Sequence, residues 1–233
     1  GAPEEGGGSI TSPLNTWENI NWEKGKYYLQ KRGTTFDKPL VIDSGGSHDS
    51  TIQIGSYGSG PMPRIVTSDT AALIASGIDH LEIRDISFSV KGSRPAPALM
   101  LEECKNVNLT NIVIDSSIGR GLYAYRTDSL ELRGSLIANC GLMAGEDTLD
   151  NISLLNSQDF LVEENRIRDF NGGNGLRVSG GRGEIKYNRV YNSQSFENAL
   201  HCIMLDQEAE ILAQNNLAYN NSTGAAFWLG ANA

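Results

Sequence analysis

A chain of 233 residues, 39% of them hydrophobic, can bury one large core or two small ones. Its formal charge of −9 argues against nucleic acid, whose phosphates need clustered Lys and Arg, and no apolar run approaches the ~18 residues of a membrane span. Three cysteines, Cys104, Cys140 and Cys202, are an odd number at spacings that match no zinc pattern, so they read as small buried hydrophobes beside apolar strands.

Residues 1–15 are Gly-rich and polar and read as a flexible segment. Trp17 and Trp22 are predicted to cover the apolar N-terminal end of the strand region after them. From 24 to 68, short alternating runs (YYLQ, PLVID, TIQIGSY, RIVTS) are separated by Gly-rich turns, which is strand punctuation. No stretch keeps a helical period beyond one or two turns.

From residue 81 onward one pattern recurs: LEIRDISFSV (81–90), NVNLTNIVIDSS (106–117), SLELRGSLIANC (129–140), DFLVEENRIRDF (159–170), GEIKYNRVYNSQ (183–194) and AEILAQNNLAYNN (209–221). Each copy after the first alternates, turns at Asn111, Gly134, Asn165, Asn188 or Asn215, and alternates again. The turn centres lie roughly 23 to 31 residues apart, a solenoid period too short for a βαβ unit. The chain is therefore predicted to be all-β, with residues 16–233 forming a single parallel β-helix of roughly seven to nine coils. Asn165, Asn188 and Asn215, joined by Asn111, are expected to stack in one inward-facing column. GGNG (172–175) and GGRG (180–183) read as turn glycines between coils, since neither opens a helix as a phosphate loop would.

The N-terminal runs KRGTTF (31–36), IQIGSYGSG (52–60) and PRI (63–65) resemble the first coil of right-handed parallel β-helix proteins of the pectate-lyase-like superfamily. With the later coils, the resemblance covers most of the chain. That superfamily includes polysaccharide lyases, glycoside hydrolases, uronate epimerases, phage tailspikes and non-catalytic solenoids, so the fold it implies leaves activity open. It implies a polysaccharide partner and an extracellular, cell-surface or virion-associated location.

A second strand set precedes the turn segments: ALMLE (98–102), LYAYR (122–126), ISLLN (152–156), LRVSG (176–180), IMLDQ (203–207) and FWLG (227–230). Alternation puts Met100, Tyr123, Ser153, Arg177, Met204 and Trp228 in one outward column. Glu102, Tyr125, Leu155, Ser179, Asp206 and Gly230 form the other. In related β-helix enzymes the corresponding face is the sugar-binding groove. On it Tyr123, Tyr125 and Trp228 can stack on sugar rings, with Glu102 beside them. Arg177 pairs either with a sugar carboxylate or with Asp206 one coil away. His201, just before the Asp206 strand, is a general base or a structural strand-edge residue.

The loop 139–151 carries Glu146, Asp147 and Asp150, which can hold Ca²⁺, supply an acid/base pair, or form a solvated turn. Glu197 lies on another such loop. No cofactor is required by any motif, and Ca²⁺ is the one candidate. An eliminating enzyme would use His201 or Tyr125 as base, with Arg177 or Ca²⁺ neutralising the enolate. A hydrolase would pair Asp206 with Asp147, Asp150 or Glu102. The alternative is a non-catalytic fibre, tailspike, adhesin or self-assembling module. No turn segment comes after AAFWLG, so the C-terminal end is predicted to lack a cap. Either the chain is part of a longer solenoid or the end is covered by head-to-tail or trimeric self-association.

Overall fold

The computed structural model describes residues 16–142, 149–193, 200–222 and 224–230, and among them every regular element is a strand. The chain winds through about seven turns of a parallel β-helix with three strands per turn. The first sheet holds Leu40–Ile42, Leu73–Ser76, Leu99–Glu102, Leu122–Tyr125, the N-terminal halves of Ile152–Glu163, Leu176–Lys186 and Ile203–Gln214, and Phe227–Leu229. The second holds Tyr27–Lys31, Ile52–Tyr57, Asp79–Arg84, Lys105–Thr110, Asp128–Arg133 and the C-terminal halves of the three long strands. The third runs from Thr35–Phe36 to Leu217–Tyr219. All ladders between these strands are parallel, as the turn spacing predicts.

Parallel coils in register place equivalent residues above one another. Leu81, Val107, Leu130 and Phe160 therefore form one buried file, and Ile83, Leu109, Leu132, Val162 and Ile185 its neighbour. Each such side chain is worth roughly 1.5–3 kcal/mol when buried, and only the next coil can bury it. The three cysteines are buried and unpaired in this core, where burial pushes the Cys140 thiol up to about 12 and that of Cys202 to about 11. Trp22 closes the N-terminal end of the core. It stacks on Trp17 at 6.1 Å and donates from Nε1 to the Val41 carbonyl at 3.0 Å.

The corner between the second and third sheets shows why Asn recurs. Asp85, Asn111, Gly134, Glu164, Tyr187 and Asn215 all adopt positive φ there, a conformation Gly and Asn tolerate best. The residue after each points inward: Ile86, Ile112, Ser135, Asn165, Asn188 and Asn216. Asn188 Oδ1 accepts from both the backbone and side-chain nitrogens of Asn165 at 3.0 Å, and Asn216 Oδ1 does the same for Asn188. Asn165 Oδ1 in turn accepts from the Ser135 backbone N–H, and the Ser135 hydroxyl accepts from that of Ile112. The stacked amide column is thus present, with two members corrected. Asn111 and Asn215 occupy the outer left-handed position, and Asn111 bonds Asp85 instead. Asn216 takes the inward place assigned to Asn215, because a residue at positive φ turns its side chain away from the core.

Residues 172–175 serve close approach between coils. A Cβ on Gly173 would lie 2.6 Å from the Asp150 backbone nitrogen, and one on Gly175 2.7 Å from the Cys202 carbonyl oxygen. At the other end, Phe227 and Leu229 have the inward parity the alternation predicts. They remain 44% and 68% exposed because no further described coil packs on them.

Candidate functional site

The outward columns of the first sheet stand in the predicted register. Met100, Tyr123, Ser153, Arg177, Met204 and Trp228 align strand by strand, as do Glu102, Tyr125, Leu155, Ser179 and Asp206. Ile74 and Ser76 continue both columns toward the N-terminus.

One end of this face is aromatic and cationic. The Arg120 guanidinium lies 5.5 Å from the Tyr123 ring centre and that of Arg126 lies 4.9 Å from Tyr125, both within cation–π range. Arg126 also reaches Glu103 at 3.5 Å. Partial burial, with the Glu102 carboxylate adding to it, holds the Tyr123 hydroxyl pKa above its ordinary value, so the hydroxyl keeps its proton at neutral pH. Sequence reading missed Arg120 and Arg126. The signal was in GRGLYAYR (119–126), where an arginine stands on either side of the tyrosine strand.

The other end is built around Arg177. Its Nη2 donates to Asp206 Oδ2 at 3.0 Å, so of the two roles open to Arg177 the intramolecular pair is formed. The second oxygen, Asp206 Oδ1, is buried with no hydrogen-bond partner among the described residues. A buried acceptor in that state is costly unless a ligand or water supplies a donor.

His201 packs its ring on Trp228, with centres 5.4 Å apart and planes at 18°. Its Nδ1 accepts from the Ala225 N–H at 3.0 Å, and its backbone N–H donates to Asn174 Oδ1 at 2.9 Å. Burial lowers the His201 pKa, so the neutral ring carries its proton on Nε2. With Nδ1 engaged by the Ala225 N–H, the ring position left on neutral His201 is the Nε2–H.

Asp150 differs most from expectation. It is fully buried and both its oxygens are occupied. Oδ1 accepts from the Asn174 backbone at 2.7 Å and from Asn174 Nδ2 at 2.9 Å, and Oδ2 accepts from the Ser153 hydroxyl at 2.8 Å. Burial pushes its carboxyl up, against the opposing pull of these hydrogen bonds and of the nearby Arg177 charge. It is thus no exposed Ca²⁺ ligand. Glu146 and Asp147, its partners in the expected metal set, lie outside the described residues, as does Glu197. Among the described residues no group of three or more His, Cys, Asp or Glu side chains is placed to hold a metal. Glu102 is four strands from Asp206 along its column, about 19 Å at the usual ~4.8 Å strand spacing, too far to share a reaction centre.

The raised Asp150 pKa has a measurable consequence. A folded-state carboxyl pKa above the unfolded one favours folding below the unfolded value of about 3.9, and that contribution is lost as pH rises through the folded value. Asp150→Asn keeps the acceptor toward Asn174 and can donate to Ser153, but does not titrate. Its melting temperature is expected to rise relative to wild type between pH 4 and pH 7. A pH-independent difference would show that Asp150 ionises as readily folded as unfolded.

A family model described as "Right handed beta helix region" matches residues 76–233. No curated protein matches the sequence. Among solved structures, the GH136 lacto-N-biosidase from Eubacterium ramulus superposes with a TM-score of 0.54 at 12% identity, covering 98% of this chain and 66% of that one. An alginate lyase from a Paenibacillus species gives 0.52 at 14% identity, covering 90% of this chain and 93% of that one. Tailspike protein 2 of an Escherichia coli O157:H7 bacteriophage gives 0.51 at 12%, covering 88% and 37%. The chain thus spans just under two thirds of the lacto-N-biosidase and little more than a third of the tailspike. At these identities the likeness establishes the fold alone.

Proposed function

The chain belongs to the right-handed β-helix family, and on that premise we propose that it is a carbohydrate-active β-helix that binds a polysaccharide along the outer face of its first sheet and hydrolyses it beside Arg177 and Asp206. The observation that carries this reading is the largely buried Arg177–Asp206 pair, which leaves one carboxylate oxygen without a donor among the described residues, set between Tyr123 and Tyr125 on one side and Trp228 on the other. Solved proteins of this fold include a lacto-N-biosidase, an alginate lyase and a phage tailspike protein.

Hydrolysis is favoured over elimination by the state of the groups at hand. Elimination needs a base to take a carbon-bound proton; of the two candidates, His201 has Nδ1 engaged by the Ala225 N–H and Tyr125 has its ring under the Arg126 guanidinium. Hydrolysis needs one carboxylate to activate water and one group that retains a proton. Asp206 supplies the first. Asp150, whose burial favours its protonated form, supplies the second by relay: it passes its proton to the Ser153 oxygen as Ser153, which otherwise donates to Asp150 Oδ2, gives its own hydroxyl proton to the leaving oxygen. Arg177 holds Asp206 through its Nη2 hydrogen bond, while burial is what favours the protonated form of Asp150, against the pull of the Arg177 charge. The Nε2–H of His201 orients a sugar hydroxyl over Trp228. A polysaccharide substrate places the protein outside the cell, on its surface or on a virion.

A panel of neutral and uronate polysaccharides, with and without EDTA, tests the reading. New reducing ends without new double-bond absorbance are expected. Double-bond absorbance would replace hydrolysis by elimination, and binding without any product would make the face a recognition surface. Loss of activity in EDTA would assign Ca²⁺ a role. The double variant Tyr123→Ala/Tyr125→Ala should weaken glycan affinity by about tenfold, from the loss of two stacking faces, without lowering the melting temperature substantially. Unchanged affinity would move the glycan to another face.

A further inference from the structure

The outer face of the third sheet carries an arginine–tyrosine patch that plays no part in hydrolysis on the first. In the last coils Leu136, Arg166, Arg189 and Leu217 stand in one outward column, with Ala138, Arg168, Tyr191 and Tyr219 in the next. Arg166 and Arg189 are exposed and paired in register on adjacent strands. Like charges directly opposite each other on a sheet repel. Neither side chain forms an ion pair or hydrogen bond with a described residue, not even with exposed Glu164 two positions before Arg166. Arg168, by contrast, is held by Asp169. Beside the unpaired arginines, the rings of Tyr191 and Tyr219 stack at 4.9 Å with planes at 6°. Tyr219 is 43% exposed and stacks on no other described ring.

We propose that this patch is a second carbohydrate-binding site, selective for a glycan bearing carboxylate or sulfate groups. Two guanidinium forks on neighbouring strands converge on a single anionic group, which relieves their mutual repulsion. The tyrosine pair supplies the flat surface on which the sugar ring bearing that group, or the next one, can lie. A nucleic acid fits less well. The chain carries a formal charge of −9, and two free arginines neutralise little of a closely spaced phosphate backbone. The site lies on a different sheet from Arg177 and Asp206 and does not rest on their assignment.

The test is affinity electrophoresis of the Tyr123→Ala/Tyr125→Ala protein, in which binding on the first sheet is suppressed, through gels containing polygalacturonate, dextran sulfate or uncharged dextran. Retardation by at least one anionic polymer and none by dextran is expected, and the two polymers distinguish a carboxylate from a sulfate ligand. Adding Arg166→Ala/Arg189→Ala should weaken that binding by about tenfold or more, and Tyr219→Ala should weaken it in a fold whose melting temperature is unchanged. Equal retardation with and without the arginines, equal retardation by dextran, or tighter binding of single-stranded DNA than of either polymer would overturn the proposal. An inactive protein in the hydrolysis panel would leave this result standing.

Discussion

Asn188→Leu is expected to destabilise the protein by roughly 3 kcal/mol or more, the largest effect of any single substitution in the corner column. Leucine fits the volume, so the cost is not a cavity. The Asn188 side chain makes four hydrogen bonds in a buried site. It accepts from two Asn165 nitrogens and donates to the Val162 carbonyl at 2.8 Å and to Asn216 Oδ1 at 3.0 Å. Removing it strands the Asn165 backbone N–H and one of the two Asn165 amide hydrogens inside the core, the other still bonding the Leu132 carbonyl, and each buried unsatisfied group costs about 1–3 kcal/mol. Asn215→Gly, one residue from the equivalent inward position, is the matching control. Asn215 is exposed at φ 54°, where glycine is at ease, so its effect should stay within about 1 kcal/mol. Urea unfolding midpoints of the two variants measure the contrast. Equal losses would mean that the amide column contributes nothing beyond filling space.

Asp206→Asn is expected to lower glycan hydrolysis by about 10²- to 10⁴-fold, the usual contribution of a positioned acid–base group. The amide keeps an oxygen for Arg177 Nη2, so folding and glycan affinity should change little. Truncation to alanine would be less informative, since it leaves a part-buried guanidinium without its partner. The readout is turnover at saturating substrate against the binding constant. Reduced turnover with unchanged binding supports a carboxylate that acts on water. Unchanged turnover would remove Asp206 from the chemistry and leave the pair a structural link between coils.

Much of this protein was legible before any coordinates. The alternation in ALMLE, LYAYR, ISLLN, LRVSG, IMLDQ and FWLG determines the outward columns because parallel coils stack strands in register, so strand parity alone assigns each residue to a face. Inside a strand there is no other choice to make. Corners are different. With Asn at both 215 and 216, either could take the left-handed position, and the hydrogen bonds offered by the preceding coil select Asn216 for the interior. The candidate site depended still more on neighbours in space. Asp150 looks like a loop carboxylate in GEDTLDN, but the absence of side chains at Gly172 and Gly173 lets the following coil close over it, and Asn174 takes one of its oxygens. The ring nitrogen of His201 is claimed by Ala225, 24 residues later. Strand faces come from local periodicity, which a sequence carries along its length. Protonation, burial and the partners of Arg177 come from contacts between coils, and only the folded chain brings those groups together.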